Sequence, residues 1–187
     1  SSEITDTSRI VSLSGDLTEI LFALGAGDRV VAIDVTTTFP DEATALPVVG
    51  FGQMLAPEPV LALAPTVVVA NELTGPAEVI AQIRAAGVPV IVLNTGGAFD
   101  AVGHKIRTIA QLVDEAESGE TLATQVDAEI AAARELAATA TTTPRVAFIY
   151  SRGPQLMLLF GIGMGTNPMI EGANAIDVGA ETGDVLG

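Results

Sequence analysis

The feature that most constrains the fold is a series of short apolar runs that alternate with helix-forming segments. The runs lie at 9–13, 30–33, 66–70 and 88–93 and consist mainly of Val, Ile, Leu and Ala. Although 49% of the chain is hydrophobic, no run approaches the roughly 20 apolar residues that a membrane-spanning helix requires. Runs of this length are typical of parallel strands buried on both faces. The sequence therefore predicts an α/β protein with a parallel sheet and right-handed crossovers.

Helix signals separate these runs and then dominate the middle of the chain. Asp16 is predicted to be the N-cap of the first helix, with Glu19 three residues later. Another helix is predicted over 76–86. Residues 99–139 are almost wholly helix-forming and are broken mainly at Ser118-Gly119. Such a long helical segment between two strand-rich regions indicates a stiff connection.

A second strand-rich region follows the helical segment. Strands are predicted at 145–150 and 156–160, followed by one short helix, which is too little for an independent α/β lobe. The prediction is two Rossmann-like α/β lobes, residues 9–98 and 144–187. A helical linker over 99–143, which includes a long backbone helix, joins them. The second lobe is predicted to be incomplete, either truncated or completed by a second copy of the chain.

The charge balance and the residue usage exclude several classes of partner and site. The 187 residues include 23 acidic and 8 basic side chains, for a net charge of −15. Such a surface repels nucleic-acid phosphates and anionic lipid headgroups. The chain contains no cysteine, which excludes thiolate metal sites and thiol catalysis. Residues 1–6 are polar and resemble a tether left after removal of a signal or lipid anchor, which predicts an extracytoplasmic location, periplasmic or lipid-anchored at the outer face of the membrane.

Motifs that would indicate an enzyme or a nucleotide site are weak. The glycines of 161–165 lie between a strand and a helix, but their spacing is not that of a dinucleotide-binding loop. No nucleophile-elbow pattern surrounds Ser12 or Ser14. The only histidine, His104, is far away in sequence and is predicted to be a solvent-facing helix residue. An enzyme or nucleotide-binding domain is therefore a remote alternative.

The order of these features resembles the iron-complex binding proteins of ABC importers. The resemblance extends from residue 9 to 187, and two strings carry it: RIVSLSGDLTEILFALG at 9–25 and VGFGQMLAPEPVLALAPTVVV at 49–69. It implies two α/β lobes joined by one long helix, a ligand held between them, and delivery to a permease dimer. It also implies a binding protein and not an enzyme.

Within that family, the segment VAFIYSRG at 146–153 resembles the haem-binding branch. The resemblance implies that Tyr150 coordinates ferric iron and that Arg152 hydrogen-bonds the phenolate. A phenolate is a hard oxygen donor suited to Fe(III). A cation two residues along the same strand face favours the ionised form. The structural alternative is that both residues simply flank the end of a strand.

One position departs from the family pattern. In the haem-binding branch, the first lobe usually offers a histidine or tyrosine just after the Val-Gly pair, and Phe51 stands there in this chain. Because phenylalanine cannot bind a metal, either the iron is five-coordinate through Tyr150 or another group serves, such as the Met54 thioether. Phe51 and Met54 are alternatively apolar walls against the porphyrin. The departure leaves a ferric siderophore or cobalamin open as the ligand.

Two glutamates resemble the residues with which this class docks onto its permease. By position they are Glu78, near a predicted helix start, and Glu171, after Asn167-Pro168. A carboxylate in a first helical turn is also favoured by the helix macrodipole, which is the structural alternative. The resemblance therefore implies an extracytoplasmic protein that captures haem and docks onto an ABC importer through these residues.

Overall fold

The predicted apolar runs of the first part of the chain form one parallel sheet. Its strands are β1 (Ile10–Ser12), β2 (Val30–Ile33), β3 (Val67–Asn71) and β4 (Val90–Leu93). Their spatial order is β2-β1-β3-β4, and each neighbouring pair is parallel. The structure, a computed structural model, describes residues 4, 6–94, 99–151, 153, 155–163 and 165–182.

Helices and 3-10 turns connect these strands. The helices are α1 (Gly15–Ala23), α2 (Asp41–Thr44), α3 (Pro57–Leu61) and α4 (Ala77–Ala85), and the 3-10 turns are Gly27–Arg29 and Gly52–Met54. The prediction of Asp16 as N-cap is wrong, because the cap is Ser14, two residues earlier, and α1 begins at Gly15. Asp16 instead lies in the first turn, and its carboxylate pairs with Lys105.

The core occupies both faces of the sheet, as expected for a parallel sheet covered by helices. On β3, Val67 and Val69 pack with Leu17 of α1, whereas Val68 packs on the opposite face with Val60 of α3. All five side chains are fully buried. The alternation of side chains along a strand thus explains why β3 is apolar without interruption.

The helical segment contains two helices, α5 (Asp100–Leu112) and α6 (Ala116–Ala138). The prediction of a break at Ser118-Gly119 is wrong, because both residues lie inside α6. The chain turns instead at Asp114, which has φ +60°. Gly119 is needed for a different reason: a Cβ there would overlap the Ala110 side chain. The glycine therefore permits the close packing of α6 against α5.

The last part of the chain contains two small sheets. Strands β5 (Arg145–Val146) and β8 (Ile176–Asp177) are parallel, and strands β6 (Phe148–Ser151) and β7 (Met157–Phe160) are antiparallel. Helices α7 (Asn167–Gly172) and α8 (Val178–Glu181) follow β7 and β8 respectively. The predicted single strand 145–150 is therefore two strands, because the residues on either side of Ala147 pair with different partners. The completion of this region by a second copy of the chain stays a prediction.

The chain forms two compact units. Unit 1 consists of Ser1–Thr95 and Lys105–Leu122, and unit 2 of Gly96–His104 and Ala123–Gly187. The segment 99–143, predicted as a linker, is thus shared between them. No helix in the described part of the chain combines the length and the apolar character that a membrane crossing requires.

Candidate functional site

Unit 1 contains a cavity of about 290 Å³ at the carboxyl ends of its strands. This is the edge of an open α/β sheet at which ligands usually bind. The loop after β1 contributes Ser14 and Asp16, the loop after β2 contributes Asp34 and Thr36, and the last residue of β3 is Asn71. Further lining residues lie in the segment before α3 and in the turn after β3, namely Phe51, Gly52 and Gln53 in the former and Thr74 in the latter.

Asp34 joins two of the loops around this cavity. Its carboxylate is 2% exposed and accepts hydrogen bonds from the Thr36 amide at 3.1 Å and the Thr36 hydroxyl at 2.6 Å. Its second oxygen accepts from the Gly52 amide at 3.4 Å. A Cβ at Gly52 would lie 2.9 Å from the Leu13 carbonyl oxygen, so only glycine lets the turn approach β1 this closely. Asp34 therefore fixes the turn that carries Phe51.

A buried cation organises the other side of the cavity. Lys105 of α5 is 8% exposed, and its Nζ lies 2.5 Å from Asp16 Oδ2. Ser14 Oγ donates to the other Asp16 oxygen and accepts from Asn71 Nδ2 at 3.1 Å. Burial disfavours the ionised Asp16, but the hydrogen bonds from Lys105 and Ser14 outweigh it and hold the pKa of Asp16 below its ordinary value. Asp16 is thus a fixed carboxylate.

The two predicted apolar contacts of unit 1 lie on one turn. Phe51 precedes the 3-10 turn Gly52–Met54 and lines the cavity. Met54 ends the turn, and its side chain is 80% exposed. The Met54 amide donates to the Phe51 carbonyl at 2.8 Å, which keeps the two residues together. Both side chains are therefore available to an apolar ligand.

The predicted iron ligand lies in unit 2. Tyr150 is the third residue of β6, is 37% exposed, and stacks on the ring of Phe160. Its side chain is not enclosed in a packed interior, which a role in ligand binding requires. Arg152, its predicted partner, lies outside the described residues.

The other predicted residues are exposed on helices. Glu78 lies in the first turn of α4, and Glu171 lies in α7, where Oε1 accepts from Asn167 Nδ2 at 3.3 Å. His104 is an exposed residue of α5, as predicted. Among the described residues, no group of three or more His, Asp or Glu side chains is placed to hold a metal ion.

Sequence reasoning did not identify three residues of the cavity wall and its support: Asp34, Asn71 and Lys105. A usable signal existed for the first two, because polar residues directly after or at the end of buried parallel strands lie at the binding edge of a sheet. Lys105 gave no such signal, since its partner Asp16 is 89 residues away in sequence.

A comparison with protein families identifies the type of chain. A family model described as periplasmic binding protein matches residues 10–185. The chain belongs to this family. Among curated proteins, the vitamin B12-binding protein of Vibrio parahaemolyticus is 31% identical over 142 residues, which are 76% of this chain and 50% of the relative. The chain spans about half the length of the curated relatives it matches.

Solved structures of the same family are similar over nearly the whole chain. The periplasmic haem-binding protein RhuT from Roseiflexus sp. RS-1, in its apo form, is 45% identical with a TM-score of 0.90, and the match covers 95% of this chain and 68% of RhuT. The haem-binding protein HmuT is 34% identical with a TM-score of 0.88, and the match covers 97% of this chain and 60% of HmuT. HmuT variants that replace a histidine, a tyrosine or an arginine have also been solved.

These matches confirm the predicted α/β fold and the resemblance to ABC-importer binding proteins at the family level. The family and its solved relatives are binding proteins of the extracytoplasmic space.

Proposed function

We propose that this chain captures haem outside the cytoplasm and delivers it to an ABC importer, without catalysing a reaction. The observation that carries the proposal is the accessible Tyr150 on β6, within a chain whose similar solved structures are named haem-binding proteins. Haem is the cargo in this proposal and not a resident cofactor.

The sequence spacing of the HmuT variants supports the assignment of individual residues. The replaced tyrosine and arginine of HmuT are two positions apart, as Tyr150 and Arg152 are here. The replaced histidine stands as far before that tyrosine as Phe51 stands before Tyr150. By this correspondence, Tyr150 is the iron ligand and Arg152 supports its phenolate. Phe51 occupies the position of the histidine but cannot coordinate iron.

The consequence of Phe51 is a five-coordinate ferric haem held by one phenolate. Tyrosinate ligation is known chemistry for ferric haem proteins. Phe51 and the exposed Met54 then contribute apolar contact area to the macrocycle, at about 25 cal/mol per Å² before the costs of association. Specificity for the ferric form comes from the hard oxygen donor, and much of the affinity comes from apolar burial.

A haem titration followed by absorbance tests the proposal. Wild-type protein is expected to give a tyrosinate–ferric spectrum, and Tyr150→Phe is expected to lose it. Because loss of residues that only support a metal ligand already costs about 10–100-fold in affinity, removal of the ligand itself should cost at least that much. A spectrum and affinity that Tyr150→Phe leaves unchanged would remove Tyr150 from the site.

A second candidate ligand is cobalamin, and two observations favour it. Several curated relatives are named vitamin B12-binding proteins. In addition, the charged residues that line the unit 1 cavity, Asp16, Glu19 and Asp34, are all acidic, which favours amide donors over the propionates of haem. Titration with cobalamin distinguishes the two: tight binding that is insensitive to Tyr150→Phe supports cobalamin. A ferric siderophore is the third ligand class, and a titration of wild type and Tyr150→Phe with a ferric siderophore tests it in the same way.

Delivery requires docking onto a permease dimer, for which we propose Glu78 and Glu171. Both carboxylates are exposed, each on a different unit. Charge pairs at a rim mainly set orientation and association rate. We expect Glu78→Ala and Glu171→Ala to keep the haem affinity of wild type but to reduce ligand-stimulated ATPase activity of the reconstituted importer. Undiminished stimulation in the double variant would contradict this role.

A further inference from the structure

Three of the few aromatic side chains lie on one face of the β6–β7 hairpin. The whole chain has six phenylalanines, one tyrosine and no tryptophan. In the antiparallel register, Phe148 is opposite Phe160 and Tyr150 is opposite Leu158. Because alternate residues of a strand share a face, these four side chains lie on the same side of the hairpin. We call Phe148, Phe160 and Tyr150 the aromatic triplet.

Phe160 is the central ring of the triplet. Its centroid lies 5.3 Å from that of Phe148, with 28° between the planes, and 5.6 Å from that of Tyr150, with 19° between the planes. The second contact is the diagonal neighbour of an antiparallel pair, which aromatic side chains can reach. Tyr150 is therefore the terminal ring, covered by Phe160 on one side.

The backbone of Phe160 is itself held in place. Gly179 of α8 packs against the Phe160 carbonyl so closely that a Cβ at Gly179 would overlap it. The Asp177 carboxylate is 3% exposed and accepts from the Gly179 amide at 2.9 Å, which fixes the start of α8. Phe160, whose ring supports Tyr150, thus lies at the end of β7, where α8 packs closely against its backbone.

We propose that Phe160 is a positioning residue for Tyr150. It covers one face of the phenol ring and restricts rotation of the side chain about its Cα–Cβ bond, so that the phenol oxygen is held in one direction before iron arrives. This inference rests on the proposed role of Tyr150 as the haem-iron ligand. Fixing a ligand in advance lowers the entropy lost on binding. Tyr150 is still 37% exposed, so the stacking does not enclose the residue.

The first test uses the apo protein and does not depend on haem. Because Tyr150 is the only tyrosine and tryptophan is absent, tyrosine fluorescence anisotropy and the tyrosine band in near-ultraviolet circular dichroism report on this side chain alone. Phe160→Leu is expected to weaken the dichroism band and lower the anisotropy. Phe148→Leu, which removes a ring of the triplet that is not stacked on Tyr150, is the matched control and should preserve both signals.

The second test is a haem titration of the same variants. A stacked aromatic pair contributes about 0.5–1.5 kcal/mol, so Phe160→Leu is expected to raise the haem Kd about two- to tenfold. It should also broaden or shift the tyrosinate absorption band, a change that a generally weakened fold would not produce. Phe148→Leu should bind as wild type does. Far-ultraviolet dichroism checks folding, and Phe160→Met replaces Phe160→Leu if the latter is unfolded.

The two tests separate this inference from the proposed function. Apo signals that are the same in Phe160→Leu and Phe148→Leu overturn the positioning role, whatever the haem result. Apo signals that change as expected, together with a haem Kd that neither Phe160→Leu nor Tyr150→Phe affects, show that Phe160 orients a tyrosine that does not bind iron. That second result overturns the function proposed for Tyr150.

Discussion

The pairing of Lys105 with Asp16 places a cation of α5 beside the cavity of unit 1. Lys105 is the only lysine of the chain and is buried, whereas the Asp16 side chain is 41% exposed. The pair joins α5 to the start of α1. It also neutralises one of the carboxylates that line the cavity, so its loss should affect both stability and the local charge.

We expect Lys105→Met to destabilise unit 1 by about 1–2 kcal/mol at neutral pH, below the cost of breaking a fully buried pair because Asp16 is partly exposed to solvent. The pKa of Asp16 is lowered in the folded protein from the ordinary 3.8. A depressed pKa contributes stability above the unfolded value, and this contribution disappears as the pH falls through the folded value. The difference in unfolding free energy between variant and wild type should therefore shrink as the pH falls through the pKa of Asp16 in the folded protein. Denaturant unfolding at neutral pH and at acid pH measures this difference.

Arg107→Met is the matched control for this prediction. Arg107 is also a cation of α5 in unit 1, but it pairs with Glu120 of α6, at 2.8 Å, on the exposed surface. Exposed pairs contribute about 0–1 kcal/mol. If Lys105→Met costs no more than Arg107→Met, the buried pair has no special role in holding the cavity wall.

At the scale of elements, the packing of α6 on α5 depends on one glycine. Because a Cβ at Gly119 would overlap Ala110, Gly119→Val should force the helices apart. Overpacking of this kind typically costs about 1–3 kcal/mol. We expect the thermal midpoint to fall by several degrees, as measured by circular dichroism. Ser118→Val, at the preceding exposed position of α6, introduces the same side chain and should change the midpoint little. Equal effects of the two substitutions would contradict the packing argument.

The same elements show how far sequence reasoning extends. The β1–β4 runs were predictable because burial on both faces makes strands such as β3 continuously apolar. The break between α5 and α6 was not, because Gly119 signals a break in sequence although it serves close packing in the structure. The division of 145–150 depends on pairing with β7 and β8, which lie later in the chain. Local propensity does not contain such nonlocal choices.

The candidate site was predictable to the same extent. The loops at Ser14 and Thr36 follow the neighbouring parallel strands β1 and β2, so the edge at which they line the cavity follows from the strand pattern. The hydrogen bonds of Asp34 to the Phe51 turn and the pair of Lys105 with Asp16 required the folded structure. The stacking of Tyr150 on Phe160 required the hairpin register.

At the scale of the whole molecule, the net charge of −15 opposes the approach of an anionic ligand. Haem carries ionised propionates at neutral pH, so the field of the protein should slow its association at low ionic strength. Salt screens this repulsion with a Debye length of about 10 Å at 0.1 M. If haem is the ligand, stopped-flow measurements should therefore show an association rate that rises severalfold with added salt, opposite to the usual behaviour of steered complexes.

Two charge reversals separate the field of the cavity from that of the whole surface. Glu19→Lys changes a carboxylate that lines the cavity, and Glu135→Lys changes an exposed one on α6 that does not. Both alter the net charge equally. At low salt, Glu19→Lys should accelerate haem association more than Glu135→Lys, because interactions with a nearby charge are screened less than those with a distant one. If wild-type association instead slows as salt is added, the ligand is not anionic. If the two charge reversals accelerate association equally, haem does not approach through the unit 1 cavity.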